Sequence, residues 1–228
     1  MLLTLSFLLN VILLAGIIIL CVRYDVIAKL QLAIFKNKKP LAKNYNELEE
    51  LKAIHTIYPK RAVDVLVFGD SIANTLDWRE LSQGGDVINF AIGGSEVKDV
   101  LSHLSVLEGY QPQRIVIWVG VNDALRQRPV SQTIDCFNRL FETLKMTSVP
   151  FVILSICKTR LDKANIAIDL CNAFLEQNAS LYGGQYKDIC SDLVSGDYLD
   201  VDFTYDGVHL NAAAYRHIEP HILETFRA

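Results

Sequence analysis

Apolar residues in this chain fall into two kinds of segment. The first is one uncharged run over residues 1–22, where Leu, Ile and Val dominate and Asn10 is the only strongly polar side chain. About 20 such residues suffice to cross the hydrocarbon core of a bilayer, so a transmembrane helix is predicted there. A cleaved signal peptide is the alternative. It would want a charged start, a shorter apolar core and a small-x-small cleavage site, and this run has none of them in place. The second kind of segment is short. Val63 to Phe68, Val87 to Phe90, Ile115 to Val119 and Phe151 to Ile156 read as buried strands, and a less apolar fifth covers Tyr186 to Cys190. Between and after them, helical spacing marks Asn74 to Leu81, Glu96 to Leu107, Ser131 to Met146, Asp162 to Leu181 and Asn211 to Phe226. Strand and helix in alternation predict an α/β domain with a mainly parallel sheet and right-handed crossovers.

Between the two regions lies a basic stretch. Arg23, Lys29, Lys36, Lys38, Lys39 and Lys43 face one acid, Asp25. Val26, Ile27, Leu30, Ala33 and Ile34 recur at helical spacing within it. It is either the membrane helix continuing into water or an interfacial helix whose lysines meet anionic headgroups. Residues 1–22, 23–43 and 44–228 are therefore read as membrane helix, juxtamembrane connector and catalytic-size domain. Basic flanks tend to stay in the cytoplasm, which favours a cytoplasmic domain, the opposite orientation being the alternative.

Composition adds little. The formal net charge is −4 over 228 residues, so no global positive field suggests a nucleic-acid partner. Cys136, Cys157, Cys171 and Cys190 are scattered without a C-x-x-C pair, and free thiols are expected rather than a disulfide framework.

The candidate chemistry is carried by four short pieces. These are Gly69-Asp70-Ser71-Ile72, Asn89 to Gly94, Gly120-Val121-Asn122-Asp123 and Asp206-Gly207-Val208-His209. Ser71 follows the first strand, Gly94 the second and Asn122 the third, and sites in open parallel sheets lie beyond the carboxyl ends of the strands. A serine hydroxyl needs an adjacent base to attack a carbonyl. Of five histidines, only His209 has an aspartate three residues before it in a tight turn, so Asp206 can hold the tautomer that leaves Nε2 free. Gly94, Asn122 and the N–H of Ser71 are the candidate oxyanion donors. Each piece alone also reads as an ordinary turn or helix cap. Asp70 and Asp123 are assigned loop hydrogen bonds, and Trp118 the core. His217 and His221, four apart but separated by Pro220, are declined as metal ligands.

These four pieces resemble the SGNH hydrolases, also called GDSL esterases and lipases, from roughly Ala62 onward. Ser71 matches the block I serine, Gly94 the block II glycine, Asn122 the block III asparagine, and Asp206 with His209 the block V pair. Ile72 and Ala91 depart from the family pattern, though neither is a reacting group. The fold expected is a three-layer α/β sandwich with a flavodoxin-like five-stranded sheet, preceded by one transmembrane helix. The resemblance implies a serine esterase with catalytic Ser71, Asp206 and His209 and no metal or organic cofactor. Its partners would be a small-molecule, carbohydrate or lipid ester and, through residues 1–22, a membrane. An O-acyltransferase using the same site and a degenerate membrane-tethered binding module are the alternatives.

Overall fold

The computed structural model describes residues 61–226, together with Glu50 and Ala53. The apolar run 1–22 and the connector 23–43 lie outside the described residues. Among the described residues, no helix is long and apolar enough to cross a membrane.

Five strands form one parallel sheet: β1 (Arg61–Gly69), β2 (Val87–Asn89), β3 (Tyr110–Trp118), β4 (Phe151–Leu154) and β5 (Gly184–Lys187), in the order β2-β1-β3-β4-β5. Among the described residues there are seven α-helices: α1 (Ser71–Asn74), α2 (Trp78–Leu81), α3 (Val97–His103), α4 (Val121–Leu125), α5 (Val130–Thr147), α6 (Asp162–Asn178) and α7 (Ala212–Glu224). The strand order reverses direction at β1, so right-handed crossovers send α1 and α2, between β1 and β2, to one face and the helices between β2 and β5 to the other, while α7, after the last strand, returns to the first face. The contacts agree. On one face α5 packs against α3 and α6. On the other, Trp78 of α2 meets Phe226 beyond α7, and Tyr215 of α7 donates to the Ile72 carbonyl. A sheet covered on both faces needs strands that are apolar throughout rather than alternating. Leu66, Val67 and Phe68 of β1, Ile115 to Trp118 of β3 and Phe151 to Leu154 of β4 are all buried. On α5 the buried positions Thr133, Phe137, Leu140, Phe141 and Leu144 form one helical stripe.

The sheet matches the expected five parallel strands, with differences at their ends. β3 begins at Tyr110, earlier than its apolar run, because Tyr110, Gln111 and Pro112 still pair with Arg61, Ala62 and Val63 of β1. The single helix expected over Asn74 to Leu81 is two, since Asp77 caps α2 by accepting from Glu80 N. α3 and α6 end early and pass into 3-10 turns over Leu104–Gly109 and Ala179–Tyr182. A two-stranded antiparallel ribbon, β6 (Val194–Ser195) and β7 (Tyr198–Leu199), was not expected. The cysteine expectation also needs correction. Cys157 and Cys190 form a disulfide with Cα atoms 5.2 Å apart, while Cys136 and Cys171 are free. Their 33-residue separation carries no motif, and adjacency of the segments after β4 and β5 brings them together.

Gly69 closes β1 where no side chain fits. A Cβ there would lie 2.4 Å from the Trp118 carbonyl oxygen and 2.5 Å from the Ala73 Cβ. Gly69→Ala should therefore destabilise the domain by about 1–3 kcal/mol, the usual cost of overpacking. Urea denaturation checks this, and an unchanged midpoint would refute the close approach.

Candidate active site

The serine sits where β1 becomes helix. Asp70 caps α1, its Oδ1 accepting from Ile72 N at 2.9 Å, and its own N–H donates to the Trp118 carbonyl of β3. Ser71 is the first residue of the helix, so its backbone N–H is one that α-helical bonding leaves unused. Its Oγ lies 3.0 Å from His209 Nε2.

His209 is presented by a turn that organises itself. Asp206 Oδ1 accepts from the N–H groups of Val208 and His209, while Oδ2 lies 2.7 Å from His209 Nδ1. Thr204 Oγ1 donates to the His209 carbonyl and accepts from Gly207 N. The turn reading and the catalytic reading of these residues thus hold together. Burial would push the Asp206 carboxyl up, but hydrogen bonds from the His209 ring and from two backbone N–H groups outweigh it and hold it below the usual range. A carboxylate on Nδ1 selects the tautomer whose Nε2 accepts the Ser71 hydroxyl proton. The Tyr205 ring, which the sequence reading missed, stacks on the imidazole with centroids 5.7 Å apart.

The oxyanion side is built from the loop after β2 and the helix after β3. Ser95 N donates to Ile92 O, closing a turn in which Gly94 has φ +79°. A Cβ on Gly93 would come within 4.0 Å of the Ser71 Cβ, so this turn lies against the serine. Asn122 Nδ2 donates to the Ser95 carbonyl at 3.0 Å. That bond orients the amide and uses one of its two hydrogens, leaving the other for a ligand. The structure therefore joins Ser71, His209 and Asp206 in one hydrogen-bonded chain and ties the loop that carries Gly94 to Asn122 of α4 through the Ser95 carbonyl. Such a chain can carry a proton from a hydroxyl to an imidazole, and fixed neutral donors can receive a developing oxyanion.

Three acids support these loops. Asp70 is buried, and burial pushes its carboxyl up to about 7. Asp123 Oδ2 accepts from Val97 N at 3.0 Å, and burial raises it to about 6. Glu96 behaves oppositely. Burial would raise it, but hydrogen bonds from Arg128, Lys98 and Arg126 prevail and hold it at about 2. Asp70 and Asp123 thus take the loop hydrogen bonds assigned to them. Trp118 is buried and donates from its indole N–H to the Ser155 carbonyl. His217 packs on Phe203, and His221 lies 3.7 Å from Asp192. Among the described residues, no group of three or more His, Cys, Asp or Glu could hold a metal ion.

An α/β sheet with this arrangement at its carboxyl edge defines a class of acyl-transfer hydrolases. Residues 67–217, well over half of the chain, match the GDSL-like lipase/acylhydrolase family. The chain belongs to that family. Among curated relatives, it is 41% identical over 66 residues to platelet-activating factor acetylhydrolase IB subunit alpha2 of rat and of human, covering 26% of this chain and 29% of the relative. The match thus spans less than a third of those relatives. Similar solved structures include a putative platelet activating factor protein from Streptococcus pneumonia, with TM-score 0.67 and 19% identity over 89% of this chain and 99% of that one. An acetylxylan esterase from Geobacillus stearothermophilus has TM-score 0.61 and 15% identity over 72% of this chain and 94% of that one. At these identities the structural likeness concerns the fold.

The raised carboxyl of Asp123 predicts a pH signature. With an ordinary value of 3.8 and a folded value near 6, Asp123 binds more proton in the folded state than in the unfolded state between those limits. Its contribution to stability is present below about pH 4 and is lost as pH rises through about 6. Asp123→Asn keeps an acceptor for Val97 N and removes the charge. Its stability relative to the parent should rise between about pH 4 and pH 7, read by urea melts across that range. Parallel curves for the two proteins would show that Asp123 titrates normally.

Proposed function

We propose that this protein is a membrane-tethered serine esterase that hydrolyses short-chain carboxylic esters, such as an acetyl group on a sugar or lipid alcohol, through an acyl-enzyme on Ser71. The observation that carries the reading is the Ser71 Oγ–His209 Nε2 distance of 3.0 Å continued by the His209 Nδ1–Asp206 Oδ2 distance of 2.7 Å. Ser71 Oγ attacks the ester carbonyl while His209 Nε2 takes its proton, and Asp206 stabilises the imidazolium that forms. The oxyanion is received by the N–H groups of Ser71 and Gly94 and by the Asn122 amide. Collapse expels the alcohol, which leaves with the proton from His209. Water, deprotonated by the same imidazole, then attacks the acyl-serine and releases the acid.

Two observations support a small substrate. A cavity of about 380 Å³ lies beside α4, lined in part by Ala124, Leu125, Leu161 and Ala164. Sites for small molecules run from about 300 to 1,000 Å³, so this one is near the lower end. None of Ser71, Gly94, Asn122 and His209 lines it, and it adjoins the triad turn through Arg160, whose backbone N–H donates to the Gly207 carbonyl. The names of the curated relatives and of one structural neighbour also describe enzymes of acetyl esters.

Residues 1–22 are the proposed anchor, and the basic residues that follow favour a cytoplasmic domain. The Cys157–Cys190 bridge favours the opposite side, because disulfides persist in oxidising compartments.

Ser71→Ala and His209→Ala should each nearly abolish hydrolysis of acetyl esters, since nucleophile and base act as a unit. Retention of more than about a tenth of parental activity by Ser71→Ala would end the nucleophile assignment. Asn122→Ala should lower kcat about a hundredfold with little change in KM, as loss of one oxyanion donor does. A series of esters of increasing acyl length tests the substrate class, with acetyl or propionyl expected to be fastest and a long-chain preference arguing for a lipase.

The membrane claims are tested separately. The protein should stay with membranes through a high-salt wash, because salt screens lysines but does not extract a spanning helix. Protease added to intact cells should spare a cytoplasmic domain and digest an exported one. Recovery of a shorter soluble form lacking residues 1–22 would replace the anchor by a cleaved signal.

A further inference from the structure

The turn that carries Gly94 is built to be mobile and yet is pinned. Gly93 and Gly94 are its two central residues, and the φ of +79° at Gly94 with the Ser95 N–Ile92 O bond is type II geometry. Consecutive glycines put almost no steric barrier against rotation of the peptide between them. Such a rotation would turn the Gly94 N–H, which follows the Gly93 that lies against Ser71, away from the oxyanion role proposed for it.

One side chain spans from this turn to the helix of Asn122. Arg126 Nη1 donates to the Gly94 carbonyl at 2.9 Å and lies 3.1 Å from Glu96 Oε1. Its Nη2 would be 3.6 Å from a Cβ placed on Gly94. Its backbone N–H donates to the Asn122 carbonyl at the end of α4. Glu96 itself is held from three sides, with Arg128 as a two-pronged partner at 2.9 and 3.3 Å and Lys98 at 2.7 Å. The guanidinium is thus fixed by a carboxylate that is itself fixed, and it grips the carbonyl of the candidate oxyanion glycine.

We propose that Arg126 is a positioning residue of the oxyanion hole: by holding the carbonyl of the Gly94–Ser95 peptide it fixes the far side of the turn and so restricts the preceding Gly93–Gly94 peptide, whose N–H is the candidate donor, in register with the Asn122 amide. The inference rests on the oxyanion roles proposed above for Gly94 and Asn122. The Arg126 side chain is 47% exposed, so its ion pair with Glu96 adds little to global stability. Its effect is on orientation, which a transition state senses more than a ground state does.

The test uses the full chain and the variants Arg126→Gln, Arg126→Lys, Ser71→Ala and Asn122→Ala. The measurements are kcat and KM on a neutral acetyl ester, the rate of inactivation by the serine-reactive phosphate diethyl p-nitrophenyl phosphate, and Tm. Arg126→Gln should lower kcat about tenfold at nearly constant KM, with inactivation slowed in parallel. Its Tm should stay within about 2 °C of the parent. Arg126→Lys should recover part of the loss, because an ammonium can still donate to the Gly94 carbonyl. A kcat equal to that of the parent, or a loss confined to KM, would overturn the proposal, the latter making Arg126 a substrate contact. An unimpaired Arg126→Gln beside an inactive Ser71→Ala defeats the Arg126 role alone. Full activity in Ser71→Ala or Asn122→Ala defeats the underlying reading and the Arg126 role with it.

Discussion

The pairing of Gly69 with Trp118, at the carboxyl ends of β1 and β3, is the constraint on which the rest of the site depends. Because these neighbours end at the same level, the chain leaves the sheet in two places side by side. Ser71 stands two residues beyond one end and Asn122 four beyond the other. The bond from Asp70 N to the Trp118 carbonyl extends the pairing one step past the strands. Leu66, Val67 and Phe68 are fully buried on both faces of the sheet, so the register that the site requires is held by close packing of side chains of different shape rather than by polar–apolar alternation.

Charge is handled differently on the two sides of the serine. On the base side, the Asp206 and His209 side chains are 42% and 36% exposed, and the ion pair is formed within one turn. On the oxyanion side, Asp70, Glu96 and Asp123 are all buried. Two of them accept backbone N–H groups and the third collects three cations, so each carboxylate has a partner that offsets part of its desolvation. The oxyanion loops thus gain rigidity from buried, hydrogen-bonded acids, while the imidazole stays within reach of water for the second half of the reaction.

Much of this was legible in the sequence for specific reasons. β1, β3 and β4 are short apolar runs, as strands covered on both faces must be, and the site residues follow strand ends. Asp206 and His209 were legible because their interaction spans three residues. The contacts that fix the oxyanion loops were not. Asn122 to Ser95, Asp123 to Val97 and Arg126 to Gly94 join residues 26 to 32 apart, with no periodicity to mark them. The same holds for Cys157 and Cys190, which meet only because β4 and β5 are neighbours. Polar residues of Tyr110 to Arg114 hid the start of β3, where pairing with β1 rather than burial makes the strand.

The two halves of the acid–base relay differ in how far apart their members lie along the chain. Asp206 and His209 are three residues apart, whereas Ser71 and His209 are separated by 138. Closing so large a loop costs conformational entropy that no single hydrogen bond can offset. The Asp–His turn is therefore a local structure, while the Ser–His contact exists only when α7 and the intervening strands and helices are in place. Recovery of enzymatic turnover after denaturation would consequently follow completion of the whole topology, with no partly folded fragment able to imitate it.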